Sequence, residues 1–201
     1  MRTATAIAAM TLAACLATSA LAQVAATPHD PGGFDQPPQS PAKKAKADPE
    51  GVAEDLRLKG KCDQAVPILR SLSSNGDGYA ISQFNLGLCL FDLAKADAAQ
   101  AAELNKEGAS WILRAANSGY GKAEAQAVLL YLDGTGVAAD PVEAKKWALL
   151  YRRNGMRLAL GLPDIAPEVA SRIDAVMTAP ARAEARSRAD SWTATGPNQD
   201  Q

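Results

Sequence analysis

The 201-residue sequence predicts an all-α fold, a stacked array of helix-turn-helix repeats closed at its C-terminal end by a pair of capping helices. Two observations carry this. Ile68 to Gly76, Trp111 to Gly119 and Trp147 to Gly155 each span eight positions, so one helix-plus-glycine ending occurs three times. The step from Trp111 to Trp147 is 36 residues, and so is the step from Gly119 to Gly155. Steps of about 20 to 50 residues mark solenoid arrays, whose single units hold too little core to fold alone.

The length allows one or two domains, and the composition is that of a globular chain with few aromatics and abundant alanine. The net charge of -1 provides no long-range field to gather nucleic acid or an anionic membrane.

Residues 1–22 carry one early cation, Arg2, an apolar run, and Ala20-Leu21-Ala22 before Gln23. Small residues at both ends of that triplet suit a signal peptidase pocket, so a secretory signal cut after Ala22 is expected. Thr11, Thr18 and Ser19 interrupt the apolar run and argue against a membrane span. A rival cut exists at Leu12-Ala13-Ala14-Cys15, which resembles a bacterial lipobox and would leave Cys15 as an acylated first residue. The apolar run before Cys15 is short for that purpose, and residues 17–22 continue like signal.

Residues 23–48 are rich in Pro, Gly, Gln and Ala and hold little that could form a core, so they read as a disordered linker. The sole histidine, His29, lies here with no orienting partner and reads as solvated. Ser40 and Lys43 match a Ser-x-x-Lys pattern whose serine needs a rigid helix start, which a Pro-rich stretch does not offer. The cluster Lys43, Lys44 and Lys46 reads as a solvating tether.

Folding is expected to begin at Asp48, an N-cap before Pro49-Glu50. A first helix carries Val52, Leu56 and Leu58 as its apolar set, up to Gly60. A second, from Cys62 to Ser73, places Ala65, Ile68, Leu69 and Leu72 on one face and stops at Asn75-Gly76. A third, from Tyr79 to Asp92, is apolar almost all round through Ile81, Phe84, Leu86, Leu88, Cys89, Leu90 and Phe91, and is expected to have no wet face. Gly87 in its middle costs about 1 kcal/mol relative to alanine, which implies close approach of another helix.

The stretch from Gly119 to Gly155 is the complete unit. Ala123, Ala127, Leu130 and Tyr131 share a face of its first helix, and Gly134 and Gly136 make the turn. Asp140-Pro141-Val142-Glu143 reads as a capping box with proline at the first helical position. Ala144, Trp147, Ala148 and Tyr151 then fall at i, i+3, i+4 and i+7. The turn from Asp133 to Gly136 lacks the lysine of a phosphate loop and the alternating carboxylates of a calcium loop, so its glycines read as turn geometry.

This unit resembles a Sel-1-like repeat, a relative of the tetratricopeptide repeat, through Tyr131, Gly134, Gly136, Val137, Asp140, Ala144, Trp147 and Gly155. A second copy, from Ala80 to Gly119, keeps Leu86, Gly87, Trp111, Ala115, Ala116 and Gly119. Leu86 and Trp111 are 25 positions apart against 20 between Ala127 and Trp147, which implies a five-residue insertion around 94–106. The helix at 62–73 and its predecessor form a third, poorer copy. Val128 stands where the family has glycine, Tyr151 and Arg152 replace an alanine pair, and the middle copy lacks the Gly-x-Gly turn. The resemblance implies an α/α solenoid over 49–155.

Over 156–192 the pattern changes. Residues 160–164 read as a connector, followed by helices from about Pro167 to Met177 and, capped by Thr178, from Ala179 to Trp192. Arg182, Arg186 and Arg188 beside small alanines suit the polar lid that a solenoid needs over its last repeat. Residues 193–201 are expected to be a disordered tail.

Removal of the signal leaves Cys62 and Cys89 in an oxidising compartment. The repeat alignment puts Cys62 at the start of one helix and Cys89 near the end of the next, and antiparallel packing makes those ends neighbours. The expectation is a disulfide, with two separate buried thiols as the alternative.

No catalytic, cofactor-binding or metal-ligating residue is expected, because no nucleophile and base or metal-ligand spacing shares a helix face. The expected role is a periplasmic or secreted scaffold for an unidentified envelope protein or peptide, bound on an inner surface built mainly from the first helix of each repeat. A cell-wall or beta-lactam-binding protein of the cysteine-rich branch of the family, or a lipoprotein anchored at Cys15, are the alternatives.

Overall fold

The computed structural model describes residues 48–195. The expected signal, Cys15, His29, Ser40, the lysines at 43, 44 and 46, and the tail beyond Thr195 lie outside the described residues. Among the described residues the chain forms nine α-helices, one turn of 3-10 helix and no strand.

Helix α1 (Pro49–Leu58) starts at Asp48, whose carboxylate accepts from the Glu50 amide at 3.1 Å. Its inward residue is Ala53, fully buried, whereas Val52 and Leu58 are 41% and 69% exposed. The expected apolar set is therefore corrected: the small alanine lets α1 lie close to its neighbours, and these two larger side chains point away. Helix α2 (Cys62–Ser73) buries Ala65 and Leu69, with Ile68 and Leu72 half-buried beside them.

Gly76 takes a φ of 107°, open to glycine, and a 3-10 turn (Asp77–Tyr79) leads into α3 (Ala80–Ala96). This helix runs four residues past its expected end. Ile81 is 43% exposed, so it does have a wet edge, and Ser82, Gln83 and Asn85 are buried among its apolar residues. Hydrogen bonds account for the first two: Ser82 donates to Glu50 at 2.6 Å and Gln83 to the Gly76 carbonyl at 3.0 Å, whereas Asn85 Nδ2 is buried without a partner.

Helix α4 (Ala101–Asn117) follows a short turn in which Asp97 accepts from the Ala99 amide at 3.0 Å. Helices α3 and α4 are 17 residues each, against 13 each for α5 (Gly121–Asp133) and α6 (Pro141–Arg153). The extra length around 94–106 extends both helices instead of bulging as a loop.

Gly119, Gly134 and Gly136 all take positive φ. Asp140 caps α6 by accepting from the Val142 and Glu143 amides at 2.8 and 3.1 Å. The box is only half made: the Asp140 amide donates to the Tyr131 carbonyl at 2.9 Å, and Glu143 turns to Lys146 and Arg188. The closing glycine also departs from expectation, since Gly155 opens a short helix α7 (Gly155–Ala159) without a positive φ. Asn154 ends α6 and caps α7, its side chain accepting from the Arg157 amide at 3.1 Å. The chain closes with α8 (Pro167–Val176) and α9 (Ala179–Ser191), the latter capped by Thr178.

From α1 to α6 each helix packs on the next, and α7, α8 and α9 all lie against α6. Two apolar clusters result. One joins Ala53, Cys62, Ala65, Leu69, Leu86, Cys89 and Leu90 across α1 to α3. The larger one runs from Phe91 and Ile112 to Trp147, Ile173, Ala185 and Ala189. Helix α3 contributes to both and joins them.

Helices α3 and α4 meet glycine to glycine. A Cβ on Gly87 would stand 2.7 Å from the Gly108 carbonyl oxygen, and one on Gly108 would stand 2.9 Å from the Phe91 ring. Close approach at Gly87 was readable from the sequence, whereas its partner Gly108 was not. Cys62 and Cys89 stand at disulfide distance, with Cα atoms 5.1 Å apart. Cys89 sits in the middle of α3 and not near its end, because that helix is longer than expected.

Candidate functional site

Alternate helices leave a groove between them. Its walls are Arg57 of α1, Leu88, Phe91, Asp92 and Lys95 of α3, Asn105 of α4, and Gln126 and Leu129 of α5, around a cavity of about 510 Å³. A cleft of that size falls in the range of ligand pockets. The groove is lined by residues of α1, α3 and α5 together with Asn105 of α4.

Its far end is shaped by one turn. Gly134 adopts the left-handed conformation that ends α5, and Gly136 lies so close to α4 that a Cβ there would overlap the Asn105 carbonyl oxygen. The turn is thereby pressed onto the start of α4, and Thr135 reaches the groove beside Asn105.

The charges in the groove do not balance. Asp92 is held by Lys95 at 2.9 Å, and Asp133 by Arg172 at 2.5 Å. Arg57 has no ion pair among the described residues, and its Nε is buried without a hydrogen-bond partner. Leu88, Phe91 and Leu129 provide the apolar floor. The arrangement can hold a ligand through one guanidinium, two primary amides and an apolar surface.

A second groove of about 550 Å³ is lined by Lys106, Leu113, Arg114, Asn117 and Val137. There Arg114 is already engaged by Asp77 at 3.0 Å.

One buried acid lies apart from both grooves. Glu124 of α5 is 1% exposed and accepts from Asn154 Nδ2 at 3.0 Å. Burial pushes its carboxyl up to about 7, while the Asn154 hydrogen bond and Arg153 pull the other way. The same Asn154 nitrogen donates to the Gly119 carbonyl at 3.0 Å. Gly121 leaves room for this amide, since a Cβ there would stand 2.9 Å from Asn154 Oδ1.

The repeat positions read from the sequence scatter over structural roles. Leu86, Ala144 and Trp147 are buried, and Tyr131 is half-buried. Gly87 makes the helix crossing, Gly119, Gly134 and Gly136 make turns, and Asp140 is a cap. Trp111 and Trp147 occupy different settings: Trp147 lies in the larger core, and Trp111 packs against the smaller one with its indole donating to Glu107 at 3.3 Å. None of these lines the first groove. Arg57, Asn105, Gln126 and Leu129 were not singled out from the sequence, where nothing but helix phase distinguishes them from other surface residues.

Among the described residues no group of three or more His, Cys, Asp or Glu side chains could hold a metal ion, and no helix is long and apolar enough to cross a membrane. No protein-family model matches the chain, and no curated protein matches it either.

Proposed function

We propose that the chain is an exported scaffold of Sel-1-like helical units that holds a peptide or protein segment of the cell envelope in the groove between α1, α3 and α5. The observation that carries this reading is the groove itself: an apolar floor flanked by Arg57, Asn105 and Gln126, none of whose side chains is engaged in a hydrogen bond or ion pair among the described residues. Primary amides both donate and accept, which matches the alternating groups of an extended peptide backbone. Leu88, Phe91 and Leu129 match an apolar side chain. Binding modes of this kind combine backbone hydrogen bonds for affinity with side-chain pockets for selectivity.

The solenoid part of the reading is supported by the left-handed glycines at 134 and 136, the Asp140 cap, and the burial of Ala144 and Trp147 on one face of α6. Export is supported by the signal-like residues 1–22 and by two cysteines at disulfide distance, a pairing typical of oxidising compartments.

Photocrosslinking tests the groove directly. A benzoylphenylalanine placed at Gln126 captures a partner in the living cell, and one placed at Glu168, exposed on α8, does not. Equal capture from both positions, or none from Gln126, overturns the reading.

A further inference from the structure

We propose that the groove selects an extended peptide bearing a carboxylate side chain, which docks on the guanidinium of Arg57. This rests on the peptide-binding reading above and adds the chemistry of the ligand to it.

Charge decides the ligand class. Four charged residues line the groove. Lys95 and Asp92 neutralise one another at 2.9 Å, and Asp133 is neutralised from outside by Arg172 of α8 at 2.5 Å. One positive charge remains, on Arg57. A guanidinium is charged at every working pH, and its planar fork of donors matches the two oxygens of a carboxylate. No hydrogen bond or ion pair engages this side chain among the described residues, so a ligand carboxylate meets its terminal nitrogens without a competing partner.

The neighbours of Arg57 give the rest of the motif. Leu88 and Phe91 lie on another helix of the same groove, so the acidic residue of the ligand is followed or preceded by an apolar one. Asn105 and Gln126, which line the same groove, take the ligand backbone. A basic ligand meets the uncompensated charge and is disfavoured.

A random dodecapeptide library displayed on phage and selected on the purified chain tests this, with the enriched peptides resynthesised as acid and as amide. The expected result is enrichment of sequences with Asp or Glu beside an apolar residue, binding about tenfold or more tighter than their Asn or Gln forms. That ratio collapses toward one in Arg57→Gln and is partly kept in Arg57→Lys, with both variants checked for native helix content. Enriched peptides that lose binding to Leu129→Arg or Gln126→Arg but show no acid preference overturn the inference and leave the peptide-binding reading standing. Enriched peptides indifferent to both groove variants, or no enrichment over empty support, overturn the two together.

Discussion

Asn154 Nδ2 donates at 3.0 Å to both the Glu124 carboxylate and the Gly119 carbonyl, so one amide ties α5, the turn before it and the junction of α6 with α7. The acid in this knot is almost wholly withdrawn from water, and burial raises its pKa to about 7. Arg153, next in sequence to Asn154, offsets part of that rise.

The sign of the pH effect follows from linkage. In the unfolded chain Glu124 titrates in the ordinary carboxylate range, about 4.5, while in the fold it keeps its proton up to about 7. Folding therefore binds a proton between those values, and the stability it brings is complete at low pH and is lost as pH rises through that window. The loss is on the order of a few kcal/mol, because each pH unit between the two values is worth about 1.4 kcal/mol. Denaturant melts of the wild type between pH 5 and pH 8 are expected to show the midpoint falling, and Glu124→Gln is expected to flatten that slope. An equally steep slope in the variant would place the titrating group elsewhere.

The glycine crossing between α3 and α4 is expected to resist enlargement. Alanine in mid-helix usually stabilises by about 1 kcal/mol relative to glycine. At Gly87 the added methyl would stand 2.6 Å from Ile112 Cγ1 and 2.7 Å from a backbone oxygen, so the two helices must separate. Gly87→Ala is therefore expected to destabilise by about 1 to 3 kcal/mol, the usual cost of overpacking. Thermal melts read this as a drop in Tm; a rise would mean that the helices slide apart freely.

Bonding Cys62 to Cys89 closes a loop over a sequence separation of 27. Loop-closure entropy puts its contribution at about 3 to 4 kcal/mol. Reduction, or Cys62→Ser with Cys89→Ser, is expected to lower the Tm and to open α1 and α2 to hydrogen exchange ahead of α5 and α6. Thiol titration of the purified oxidised protein should find neither cysteine free, and two reactive thiols under denaturing conditions would disprove the bond.

Helix boundaries were legible wherever the chain carries local punctuation. Asp48-Pro49, Asp140-Pro141 and Thr178 set helix starts that the structure reproduces, because a cap and a fixed φ act within one turn. Facing relationships were legible only in part. Leu58 reads as core by composition and stands in water, while Ala53 takes the inward place, because what decides burial on a ten-residue helix is the phase set by its neighbours. Gly155 reads like Gly119 by spacing, yet Asn154 takes over the end of α6 because its amide is recruited by Glu124 and Gly119. The groove residues carry no local signal at all. Arg57 becomes distinctive only when folding buries its Nε and brings it no partner.

The three tryptophans fall into separate settings: Trp111 beside the α1 to α3 cluster, and Trp147 and Trp192 edge to face at 6.1 Å where the last helices close over α6. Indole emission is consequently a two-channel reporter that needs no label. A variant keeping only Trp111 reports opening of the N-terminal layer that carries Arg57. One keeping only the Trp147 and Trp192 pair reports detachment of the chain's closing segment. Comparing the two traces in a single melt measures whether the layers come apart together or in sequence.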